Sequence, residues 1–75
     1  MVISQFTLFA NTKGGRRPEF LAAAQPDLAR PLCERFGQLL SGLGVPVRAG
    51  EFGAHMEIES VNDGPVTIWL DTDQF

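Results

Sequence analysis

Val2-Ile3-Ser4-Gln5-Phe6-Thr7-Leu8-Phe9 sets the fold expected of everything that follows it. In an extended backbone Val2, Ser4, Phe6 and Leu8 share one face, and Ile3, Gln5, Thr7 and Phe9 share the other. A stretch this rich in β-branched and aromatic residues, apolar on nearly both sides, predicts a strand inside a sheet with both faces covered. The strand starts at the first residues, with nothing upstream to cover it, so the expected domain is incomplete and its N-terminal half absent.

Working outward, Asn11 to Arg17 carries Gly14, Gly15 and the cations Lys13, Arg16 and Arg17, the composition of a mobile basic loop. Pro18 to Ala24 predicts a first short helix, and Gln25-Pro26-Asp27 punctuates before a longer one. There Leu28, Leu32, Phe36, Leu39, Leu40 and Leu43 recur at three- and four-residue steps, a single apolar stripe. Pro31 lacks a donor and should start or kink the first turn, while Gly42 and Gly44 supply the stop.

From Val45 the period becomes two. Val45 to Arg48 predicts a short edge strand, because Pro46 cannot donate to a ladder. Met56, Ile58 and Ser60 alternate with Glu57, Glu59 and Val61, and Val66, Ile68 and Leu70 alternate with Thr67, Trp69 and Asp71 across Asn62-Asp63-Gly64-Pro65. That pattern predicts a β-hairpin. The expected class is α/β: a single domain over 1–75 with a mixed, mostly antiparallel sheet packed with two helices.

Composition bounds the function. The 75 residues are 44% hydrophobic and 20% charged, a globular balance rather than a disordered one. A chain this short makes a marginal monomer, and its single cysteine permits no internal disulfide. No apolar run reaches the length of a membrane span and no basic leader is present, so a cytoplasmic protein with no membrane partner is expected. A net charge of −3 argues against a general nucleic-acid coat but leaves room for a local basic patch.

Familiar catalytic signatures are missing. One histidine, His55, and one cysteine, Cys33, give no metal framework, so no metal or other cofactor is expected. Lys13-Gly14-Gly15 lacks the spacing of a phosphate-binding loop. Cys33 beside its helix stripe reads as a small half-buried hydrophobe, and His55 as a structural or surface residue. Two segments remain: Ser4-Gln5-Phe6-Thr7-Leu8, where polar side chains interrupt an apolar strand, and Asn62-Asp63-Gly64-Pro65-Val66-Thr67. Taken alone, the first is an ordinary strand and the second an ordinary turn.

Together with Gly15-Arg16-Arg17-Pro18 and Phe52-Gly53-Ala54-His55-Met56, these segments resemble the C-terminal half of the D-aminoacyl-tRNA deacylase (DTD) family. Family members run to roughly twice this length. The absent half would include strands covering Val2 to Phe9 and an arginine that in relatives secures the Gly-Pro turn. The resemblance implies an esterase that removes a D-amino acid, or glycine, from mischarged tRNA, and a homodimer in which each subunit inserts a cis Gly-Pro dipeptide into the other's active site. Carried over, that dipeptide is Gly64-Pro65, whose carbonyls would accept hydrogen bonds from the substrate's α-ammonium. An L side chain would collide with the turn, whereas a D side chain or glycine would not.

The other motif, Ser4, Gln5, Phe6 and Thr7, would form the catalytic floor, with backbone N–H groups around Gln5, Phe6 and Thr7 facing the developing oxyanion. Thr7 is a candidate nucleophile in the family, but no adjacent base is identifiable, and activation of water by the neighbouring ribose hydroxyl is the preferred mechanism. Phe52, Ala54 and Met56 would line or gate the pocket, unless they are simply core. Lys13, Arg16 and Arg17 are the candidates for tRNA phosphate contact. The isolated chain is expected to be weakly active or inactive and to aggregate through uncovered strand edges. A catalytically dead dimerisation or tRNA-binding fragment is the alternative, and an unrelated small α/β interaction domain the third reading.

Overall fold

The computed structural model describes residues 1–74. One α-helix, α1, spans Pro26–Gly42, and single 3₁₀ turns occupy Phe6–Phe9 and Thr72–Gln74. Pro26 takes the first helical position, where its missing N–H has no partner to lose, and Asp27 in the first turn opposes the positive end of the helix dipole. The carbonyl of Gln25 accepts the first bonds, from Leu28 at 3.0 Å and Ala29 at 2.8 Å. Pro31 sits inside the helix, which continues through it.

The helix ends as expected. Gly44 adopts φ +87°, its N–H bonds to the Ser41 carbonyl at 3.0 Å, and the Val45 N–H reaches back to Leu40 at 3.3 Å. This pair of bonds is a Schellman cap, and the left-handed conformation it requires favours glycine. Gly42 is the last helical residue.

The expected mixed sheet packed with two helices is absent among the described residues. The only ladder pairings there are two isolated bridges, parallel between Val2 and Ala49 and antiparallel between Asn11 and Glu19. Val2 to Phe9 is therefore not a strand: Val2 donates to the Arg48 carbonyl at 2.8 Å, and the chain then coils into the 3₁₀ turn at Phe6–Phe9. With no neighbouring strand alongside, backbone groups there pair locally, as Ala10 N–H does with Thr7 C=O at 3.1 Å.

Nor does Pro18 to Ala24 form a helix. Glu19 spends both backbone groups on Asn11, at 2.8 and 3.0 Å, which leaves too few residues before Pro26 to repay helix nucleation. Val45 to Arg48 forms no strand, and the segments flanking Asn62 to Pro65 run without a ladder between them, so the predicted hairpin is not made.

No residue among those described is fully buried. The half-buried positions on α1 are Ala29, Cys33, Gly37 and Leu40, and this face packs on the segments around Val2–Ser4 and Val47–Met56, with Val47 Cγ1 3.8 Å from the Cβ position of Gly37. The large stripe of Leu28, Leu32, Phe36 and Leu39 points outward, each residue 52 to 57% exposed.

Candidate active site

A cavity of about 490 Å³ lies between α1, the Val2–Ser4 segment and the stretch from Val47 to Met56. Of the residues singled out in the sequence, Ser4, Phe52 and Met56 line it. Met56 also forms a wall of a second cavity of about 280 Å³. The structure adds Arg30, Cys33 and Glu34 from α1, which read in the sequence as helix surface or packing. The signal was available: Ala29, Cys33 and Gly37 form a row of small residues at helical spacing, a groove into which neighbours fit.

Phe52 is held from two sides. Gly53 after it takes φ +75°, a turn conformation suited to glycine, and Arg30 places its guanidinium carbon 5.0 Å from the ring centroid. Gly50 leaves the room that Met56 fills. A Cβ at position 50 would lie 2.5 Å from Met56 Sδ and 3.3 Å from Ile3 Cδ1.

Gln5, Phe6 and Thr7 lie outside both cavities but form a unit of their own. The Gln5 side-chain amide donates to Thr7 Oγ1, spanning the start of the Phe6–Phe9 turn. Phe6 packs edge-to-face on Phe20, with centroids 5.0 Å apart and planes at 78°. Because Phe20 follows Glu19, this contact fixes the turn beside the base of the basic loop. Asn11 and Glu19 clamp that loop, and Asn11 Oδ1 accepts from the Lys13 N–H at 3.0 Å. Lys13, Arg16 and Arg17 are exposed around the loop.

The Gly64–Pro65 peptide is cis, and Gly64 takes φ +133°. Both residues are exposed and lie outside the two cavities, as do Ala54 and His55. Neither cavity is lined by residues of both sequence motifs. Among the described residues no cluster of histidine, cysteine or carboxylate side chains could hold a metal ion, and no helix is long and apolar enough to cross a membrane.

The family described as D-Tyr-tRNA(Tyr) deacylase matches residues 1–71, a span that contains both motifs. The chain belongs to this deacylase family. It is 60% identical over 72 residues to the D-aminoacyl-tRNA deacylase of Thermomicrobium roseum, covering 96% of this chain and 47% of the relative. The protein of that name from Roseiflexus castenholzii is 57% identical over 72 residues, again 96% of this chain and 46% of the relative. That of Mycolicibacterium smegmatis is 58% identical over 71 residues, covering 95% and 50%. The chain thus spans about half the length of the curated deacylases it matches.

Proposed function

We propose that this chain supplies part of the single domain of a cytoplasmic D-aminoacyl-tRNA deacylase, which hydrolyses the ester joining a D-amino acid or glycine to tRNA. The observation that carries this reading is the family match over 1–71, which takes in Ser4–Thr7 and Gly64–Pro65 together.

In this reading water attacks the ester carbonyl carbon, and the negative charge that gathers on the carbonyl oxygen is met by backbone N–H groups around Gln5, Phe6 and Thr7. The opening N–H groups of a helical turn have no partner within it, and Gln5 caps the Phe6–Phe9 turn without a side-chain bond to the backbone. The ribose hydroxyl beside the ester takes a proton from the attacking water as it passes its own to the departing ribose oxygen, so that the carbon–oxygen ester bond breaks and the free amino acid and free tRNA leave. No base is identifiable beside the Thr7 hydroxyl, which favours a positioning role over a nucleophilic one.

The remaining assignments follow the same scheme. Gly64 and Pro65 would enter the site of a second copy and accept hydrogen bonds from the α-ammonium, selecting handedness by excluding the L side chain; their exposure fits that use. Phe52, Ala54 and Met56 would border the aminoacyl pocket, and Lys13, Arg16 and Arg17 would meet tRNA phosphates. A non-catalytic tRNA-binding or dimerisation role is the second reading, favoured by the lack of any fully buried residue among those described.

Incubation with D-tyrosyl-tRNA and L-tyrosyl-tRNA separates the two. Selective release of D-tyrosine supports the deacylase. Retention of tRNA with both esters intact supports the binding fragment.

A further inference from the structure

We propose that Arg30 is a positioning residue for the substrate site: its guanidinium holds the ring of Phe52 in place as a wall of the larger cavity, and so sets how tightly the aminoacyl end of tRNA is bound. The inference rests on the reading above, in which Phe52 borders the aminoacyl pocket, and adds the residue that controls it.

Phe52 is the one aromatic side chain among the described residues lining this cavity. Its backbone is constrained on both sides. Gly53 follows it at φ +75°, a conformation that L side chains rarely adopt, and Gly50, two residues before it, lies where a Cβ would meet Met56. Rotation about its side-chain bonds is the main freedom left to the ring. Arg30 acts on that freedom, with its guanidinium carbon 5.0 Å from the ring centroid.

Two other uses of Arg30 are weaker. Glu34 lies one turn further along α1 and also lines the cavity, but an arginine that precedes a glutamate by four residues is the less favourable order for a helical ion pair. Nor does α1 depend on Arg30 for its seat. Gly37, two turns further on, already lies against Val47, with 3.8 Å between its Cβ position and Val47 Cγ1.

The position of the ring dictates the kinetic signature. Gln5, Phe6 and Thr7, whose backbone groups face the reacting carbonyl in the reading above, lie outside the cavity that Phe52 lines. A wall remote from the reacting atoms contributes equally to binding the ester and its transition state, so loosening it raises KM and leaves kcat in place. A cation over an aromatic face at an exposed site is worth a factor of about two to five in binding.

The test measures kcat and KM for D-tyrosyl-tRNA with the chain in its activity-competent assembly, at several salt concentrations, for Arg30→Met, Arg30→Lys, Phe52→Leu and the Arg30→Met, Phe52→Leu double variant. Arg30→Met should raise KM about two- to fivefold with kcat held within about twofold. Arg30→Lys, which keeps a cation for the ring, should restore most of the binding. In the Phe52→Leu background Arg30→Met should add nothing, because the ring it acts through is gone. An undiminished effect in that background, or no effect of Arg30→Met at all, would overturn the proposal. So would a fall of about 0.7–0.9 in the slope of log KM against log salt, which would place the guanidinium on a phosphate instead. If the unsubstituted assembly releases no D-tyrosine, it is the deacylase reading that fails, and the same coupling, read in the Kd of intact D-tyrosyl-tRNA, decides the positioning role.

Discussion

Arg30 and Phe52, both lining the cavity, meet with the guanidinium carbon 5.0 Å from the ring centroid, and so tie α1 to the Phe52–Gly53 turn. A cation over an aromatic face at a partly exposed site contributes about 0.5–1 kcal/mol. Arg30→Gln and Phe52→Leu should each loosen this turn, and the double variant should cost less than the sum. A double-mutant cycle on amide exchange at Glu51 to Ala54 measures the coupling; strict additivity would show that the two side chains act independently.

Thr7 should tolerate loss of its hydroxyl. If backbone N–H groups stabilise the oxyanion, Thr7→Val keeps deacylation within about tenfold, whereas removal of a nucleophile would cost several orders of magnitude. Thr7→Ser, which keeps an acceptor for the Gln5 amide, should be nearly silent. Single-turnover release from D-tyrosyl-tRNA, with the activity-competent assembly, distinguishes these outcomes.

Gly64 sits where a side chain would be tight and its backbone strained. At φ +133° an L residue is strained, and a Cβ would lie 3.1 Å from the Val66 nitrogen. Gly64→Ala should cost about 1–3 kcal/mol locally and re-form the turn. Amide chemical shifts of Asp63 to Thr67 should move while those of α1 stay in place.

The basic loop makes an electrostatic prediction. Replacing Arg16 and Arg17 with alanine should weaken tRNA binding and flatten the dependence of log K on log salt by about 0.7–0.9 for each phosphate that the loop no longer neutralises. An unchanged slope in a filter-binding titration would remove the loop from the tRNA surface.

Legibility in the sequence followed the range of the forces involved. Helix α1 and its glycine stop were readable, because such signals act within a few residues, but its start was not: Pro26 and Asp27, read as punctuation ahead of the helix, form its first turn, and Pro31, read as a start or kink, lies inside it. The motifs at Ser4–Thr7 and Gly64–Pro65 were readable because their residues are contiguous. The orientation of α1 was not: the broad Leu28–Leu39 stripe looked like the core-facing side, yet the chain packs the narrow Ala29–Cys33–Gly37 row inward. Small residues let the backbone of 47–56 approach closely, and the pattern of large apolar residues carries no record of that choice. Arg30 escaped notice for a similar reason, since its partner Phe52 is remote in sequence.

By itself the sequence determined the longer of the two helices it predicted, the glycine cap of that helix and the family, all properties of neighbouring residues or of residue identity. Tertiary structure decided whether alternating segments such as 56–60 and 66–70 become strands. A helix closes its hydrogen bonds within its own segment, but a strand must find its partners elsewhere. In this chain those segments meet no partner among the described residues, and their alternation stays a pattern without a sheet.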